Sequence, residues 1–187
     1  MANAYLNTII DRLNRVSQEA EQAFGGLSAS QLNWKPNEKQ WSVGQCLNHL
    51  IVSNRTYYPQ LKALGNDTKK TSFWERLPFL PKLWGNMLLG SITPEPQRKM
   101  TSPKVFRPAQ SQADPDIVRQ FKLHNQELIK YIRNTRSLNH QHTIITSPAA
   151  GFIVYSLHDA VNILANHEER HLLQAKRVME MEGFPAA

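Results

Sequence analysis

Apolar residues recur with a helical period in four stretches of this chain. From about Ala4 to Phe24 they fall at Leu6, Ile9, Ile10, Leu13, Val16, Ala20 and Phe24, the spacing of one helix face. Gly25-Gly26 follows as a stop signal. A second helix is predicted from Ser42, a good N-cap after Trp41, with Val43, Cys46, Leu47, Leu50, Ile51, Tyr57, Tyr58 and Leu61 on its apolar side. Pro59 should kink it or end it early, and Gly65-Asn66-Asp67 closes the segment. A third runs from about Asp116 to Arg136 through Ile117, Val118, Phe121, His124, Leu128, Ile129 and Ile132. The fourth, from about Ser156 to Glu182, carries Leu157, Ala160, Val161, Leu164, Leu172, Ala175, Val178 and Met179. Short helices are expected at Ser28 to Leu32 and Pro81 to Leu89. Ser137 to Val154 reads as a loop, and no stretch shows the alternation of a strand.

A long connection separates the second and third helices. It runs from about Asn66 to Pro115, with prolines at 78, 81, 94, 96, 103, 108 and 115. A crossover of that length lets the third helix run parallel to the second. The expected fold is therefore all-α, a four-helix bundle in up-down-down-up order with a long crossover between helices 2 and 3. At 187 residues, one domain spanning 1–187 is expected.

Composition narrows the partners. A hydrophobic fraction of 41% and a charged fraction of 20% suit a soluble globular chain. The formal charge of +7 raises nucleic acid or an anionic ligand. The charge is spread out, however, and its nearest approach to a patch, Arg98, Lys99, Lys104 and Arg107, has no interleaved aromatic motif. A solvated basic surface is the better reading, and nucleic acid is not expected as a partner. A single cysteine, Cys46, excludes an intramolecular disulfide framework and fits a reducing compartment. No basic-then-apolar leader opens the chain and no apolar run could span a bilayer, so a cytoplasmic location without a membrane partner is expected.

The chemistry concentrates in His167-Glu168-Glu169-Arg170-His171. Two histidines four residues apart on a helix point the same way, one turn apart. The inward stripe Ala160, Leu164, His167, His171, Ala175, Val178 carries both of them. Buried imidazoles need partners for their nitrogens. A metal ion satisfies them, and so do hydroxyls or carbonyls, so core histidines are the alternative reading. The segment also reads as the H-E-x-x-H of zinc proteases, with Glu168 as general base. That reading is poor, because no glycine and no later histidine supplies the third ligand downstream. A third ligand must come from upstream, and His49, bordering the inward face of the second helix, is the natural one. Three imidazoles and an open fourth position are the layout of a catalytic zinc site, although nickel or iron(II) also accepts imidazole.

Other chemistry-bearing residues have blander readings. Cys46 lies on an apolar face and reads as core. Glu168 reads as an exposed helix charge ahead of a group beside the metal. His124 reads as a satisfied core histidine, and His158, His140 and His142 as unrelated to the pair. Asn48 and Asn54 could face the site or solvent. Trp74, Phe79 and Trp84 in the crossover could line a substrate mouth or simply pack the loop.

The block Trp41-Ser42-Val43-Gly44-Gln45-Cys46-Leu47-Asn48-His49-Leu50 resembles the W-S…H-L segment of the DinB/YfiT-like superfamily. His167-x-x-x-His171, followed by Leu172 and Gln174, resembles its second signature. Leu32-Asn33-Trp34-Lys35-Pro36 and the loop Lys99 to Pro108 are also similar. The resemblance implies a divalent metal, zinc or nickel with iron also admissible, held by His49, His167 and His171. It implies a homodimer, and a small-molecule substrate handled with a low-molecular-weight thiol such as bacillithiol, mycothiol or glutathione. The function it implies is that of a metal-dependent enzyme, an S-transferase or hydrolase that activates a thiol or water. The alternative is a non-catalytic, metal-stabilised binding module linked to stress.

Overall fold

The computed structural model describes residues 4–91, 106 and 112–186. Seven α-helices and one small sheet account for the regular structure among them. Helix α1 (Tyr5–Phe24) buries the predicted stripe from Leu6 to Phe24. Helix α2 (Ala29–Asn33) is short but doubly capped. Ser28 accepts from the Gln31 backbone N–H, and Gln31 reaches back to the Ser28 N–H. Helix α3 (Val43–Arg55) opens with the same device, Ser42 with Gln45, so its start is fixed to the residue.

The predicted second helix is broken in two. Pro59 has no N–H to bond the Arg55 carbonyl and its ring crowds that carbonyl, so α3 stops at Arg55. Helix α4 (Tyr58–Gly65) then begins with the proline in its first turn, where a missing N–H costs nothing. A 3₁₀ turn (Trp74–Arg76) and helix α5 (Leu80–Ser91) follow. Helix α6 (Ile117–Asn134) and helix α7 (Leu157–Met179, capped by Ser156) complete the helical set.

One expectation is corrected. Ser137 to Val154 is not all loop, because strands β1 (Ile144–Thr146) and β2 (Val154–Ser156) pair antiparallel with Ile145 opposite Tyr155. Three-residue strands that are buried on both sides show no alternation to read. The basic residues Arg98, Lys99, Lys104 and Arg107, prolines 94, 96, 103 and 108, and the loop Lys99 to Pro108 apart from Phe106 lie outside the described residues.

Packing joins α1 to α6 and α7, and α3 to the same two helices. Two apolar clusters result. One gathers Leu13, Tyr57, Leu61, Leu128, Ile132, Tyr155 and Leu164. The other gathers Phe24, Leu47, Leu50, Phe121, Leu172 and Val178. Between them on three helices sit Asn54, Asn125 and Glu168, all fully or almost fully buried. Helix α5 lies across β2 and α7. Gly85 permits that approach, because a Cβ there would collide with the Asp159 carboxylate. Among the described residues, no helix is long and apolar enough to cross a membrane.

Candidate metal centre

The capping box at Ser42 and Gln45 fixes the start of α3 and puts His49 on its buried side, next to Leu50. On α7, the stripe through Leu164, Ala165, Leu172 and Ala175 packs inward, carrying His167 and His171 with it. The contact of α3 with α7 then brings all three rings together. Each of the three offers one ring nitrogen, and those atoms all lie within 4.8 Å of one another. The ring centroids of His49 stand 4.9 Å from His167 and 4.5 Å from His171, with 4.6 Å between the latter two.

Hydrogen bonding fixes one tautomer. His49 Nδ1 lies 2.6 Å from the Phe106 carbonyl oxygen. A carbonyl only accepts, so Nδ1 carries the proton and Nε2 keeps its lone pair. That Nε2 faces His167 Nε2 at 3.1 Å. Two nitrogens on a tetrahedral zinc at about 2.0–2.1 Å would stand about 3.3 Å apart. The pair is therefore close to a chelating separation. His171 Nδ1 is buried and has no hydrogen-bond partner among the described residues.

Electrostatics keep the rings neutral. Burial pushes His167 down to about 3, with His49 and the Arg170 charge lowering it further. Burial also lowers His171 and His49, and Arg170 adds to the effect on both. A neutral imidazole is the form that ligates a metal. Neutral rings, an outer carbonyl orienting one of them and an orphaned nitrogen on another together fit a divalent cation.

Trp41 is the neighbour that reading residue by residue missed. Its indole stacks on His171, with centroids 5.7 Å apart and planes 22° apart, and packs against His49 at 4.7 Å. Its position just before the α3 cap was the available signal. The crossover aromatics do not fill this role. Phe79 is exposed and Trp74 largely so, while Trp84 packs on Phe152.

Glu168 corrects another expectation. It is not a solvent-facing charge, because none of its surface is exposed. Its carboxylate accepts from Asn54 Nδ2 at 2.7 Å and Asn125 Nδ2 at 2.8 Å. Burial raises it to about 8, against the pull of those two bonds. The carboxylate that a protease would use as base is thus committed to the two amides. Asn54 belongs to that contact, whereas Asn48 is only partly buried.

The other histidines stand apart from the three. His124 meets the Tyr58 hydroxyl at Nδ1, 2.8 Å away, and its buried Nε2 has no partner among the described residues. It is a core histidine, but not a fully satisfied one. His140 bonds Tyr5 and Thr135, His158 packs on Tyr5, and His142 is exposed. Cys46 is fully buried and its thiol is pushed up to about 12 by burial, as core packing requires. A groove of about 440 Å³ lined by Phe24, Leu32, Val118 and Leu123 includes none of the three ligand candidates.

Comparison with known proteins places these features in a wider set. The family model described as the DinB superfamily matches residues 12–175, which include Trp41 and all three histidines. The chain is similar to the uncharacterized protein YuaE of Bacillus subtilis (strain 168). The two are 23% identical over 174 residues, covering 89% of this chain and 94% of that protein. No solved structure matches significantly.

Proposed function

Because this chain belongs to the DinB superfamily, we propose that His49, His167 and His171 hold one divalent metal ion and that the site acts on a small molecule. The observation that carries this reading is the convergence of three neutral imidazoles whose ligand atoms fall within 4.8 Å. When bound, such an ion supplies Lewis acidity, which lowers the pKa of a thiol or of water and yields a nucleophile near neutral pH. The ligand set suits zinc or nickel and also admits iron(II).

The chain's own residues divide the remaining work. Phe106 holds the His49 ring in the tautomer that presents Nε2. Trp41 covers the faces of His49 and His171 and shields them from water. Asn54 and Asn125 grip Glu168 and so fix the rotation of α7 that turns its histidines toward α3.

The reading includes a single domain over 1–187 that works as a homodimer, with a low-molecular-weight thiol as co-substrate in an S-transferase-like reaction. It also includes an up-down-down-up bundle of α1, α3, α6 and α7. Along α1 and α7 the chain passes from the Leu13 cluster to the Phe24 cluster, and along α3 and α6 it passes the other way, which supports that order. A second reading, a non-catalytic metal-stabilised module, draws support from Glu168, since its engagement leaves no carboxylate base in contact with the triad among the described residues.

The test is metal content by plasma mass spectrometry on purified, untagged protein beside His49→Ala and His171→Ala. About one divalent ion per chain in the parent, lost in both variants, is the expected result. No uptake by folded parent protein, even after reconstitution with zinc, nickel and iron(II), would sink the metal site.

A further inference from the structure

Arg170 sits between the two α7 histidines in sequence, and its positive charge bears on all three rings of the triad. Its side chain is partly buried, and Nη1 donates to the Ser91 carbonyl at 3.3 Å, near the end of α5. No carboxylate stands within ion-pair distance of it among the described residues. Comparable partly buried cations do have such partners at 2.6 Å, namely Arg12 with Glu169, Lys69 with Glu75 and Lys176 with Glu19. The two acids that precede Arg170 both turn elsewhere. Glu168 bonds Asn54 and Asn125, and Glu169 takes the Arg12 guanidinium in a two-point contact.

Charge arithmetic gives this arrangement a direction. Three neutral imidazoles around a divalent ion leave two positive charges uncompensated. Arg170 adds a third, and no described carboxylate offsets them. A cluster of like charges at a half-buried site is unfavourable until an anion joins it. One negative charge can come from the ligand atom at the metal, which leaves the guanidinium still unpaired. Its planar fork suits a carboxylate, which it can bind through two parallel hydrogen bonds.

Resting on the metal-and-thiol reading above, we propose that Arg170 is the specificity residue of the site, selecting thiols that carry a carboxylate over neutral or cationic ones.

The experiment uses the full chain loaded with cobalt(II), whose visible and near-ultraviolet bands report both metal uptake and thiolate ligation without any turnover. Three thiols of similar size and different charge are titrated: 3-mercaptopropionate, 2-mercaptoethanol and cysteamine. The parent is expected to bind 3-mercaptopropionate at least about tenfold more tightly than 2-mercaptoethanol, with cysteamine weakest. A tenfold ratio corresponds to about 1.4 kcal/mol. In Arg170→Gln the ratio should collapse to within about twofold, with cobalt stoichiometry unchanged. Arg170→Lys, which keeps the charge but not the fork, should fall between. Equal affinities in the parent would overturn the proposal, and so would a preference that survives in Arg170→Gln. Cobalt uptake followed by no response to any thiol would overturn it together with the thiol part of the functional reading. Failure to take up cobalt would remove the metal reading beneath it.

Discussion

His124 should make the protein lose stability in mild acid, by an amount that can be worked from its surroundings. The ring is buried against Tyr58, and burial, helped by the Arg55 charge, pushes it down to about 3 from 6.5. Its Nε2 has no partner that a proton could be shared with. The folded protein therefore binds no proton there above about pH 3, while the unfolded chain takes one up below about 6.5. Stability falls as pH drops through 6.5 and continues to fall toward 3. Going from pH 7.5 to 5.5, this one group should remove about 1.4 kcal/mol. For a chain of this length, that is a drop in Tm of about 3–6 °C. The clean perturbation is His124→Asn, whose amide can still meet the Tyr58 hydroxyl but does not titrate. The variant should be less stable than the parent at pH 7.5, because a ring is lost from the core. Between pH 7.5 and 5.5, however, it should lose about 1.4 kcal/mol less than the parent. Urea unfolding of metal-free protein at the two pH values measures this. The triad and His140 titrate in both proteins and cancel in the difference. An identical loss in parent and variant would refute the claim that His124 is held neutral by the fold.

Three further outcomes are expected. Saturation of the parent with its metal at about 100 times Kd should stabilise it by about 2.7 kcal/mol, a rise in Tm of about 5–10 °C, and His171→Ala should abolish the rise in a thermal scan. Glu168→Ala should cost about 3 kcal/mol in urea unfolding, since it strands buried amide groups of Asn54 and Asn125 whose oxygens already lack partners. Replacing all three by leucine should recover most of that loss if desolvation, rather than the size of the side chains, sets the cost. Cys46 should react with a thiol reagent only as fast as the protein opens, because it is buried and its thiol stays protonated at neutral pH. Fast labelling of the folded protein would contradict that.

What could be read from the sequence follows the physics of each element. The long helices were legible because one face of each is apolar over many turns, and the caps Ser42 and Ser156 mark their starts. The triad was legible because His167 and His171 interrupt an apolar stripe, where an imidazole without a partner would be costly. The hairpin was not, since neither of its strands is long enough to show a period. Glu168 was misread for a different reason. Periodicity assigns a carboxylate to solvent unless its partners are known, and those partners lie 114 and 43 residues away, on α3 and α6. Arg170 was assigned to the outer side of α7 on the same logic, and only the three-dimensional contacts place its charge beside the histidines.

The buried polar contact of Glu168 with Asn54 and Asn125 also bears on why the three histidines meet. Apolar surfaces on α3, α6 and α7 pack acceptably in several rotations, because burial is nearly indifferent to which methyl meets which. A carboxylate that must meet two particular amides is not indifferent. Rotating α7 by one residue, about 100°, would carry Glu168 away from Asn54 and Asn125 and bury it without acceptable partners. It would also carry His167 and His171 off the side that faces His49. The residues are neighbours in sequence, so the constraint on Glu168 acts on the histidines through the rigid helix between them. A contact that adds little net stability thereby sets the geometry on which chelation depends, which is the role buried polar groups fill when they fix one packing among several.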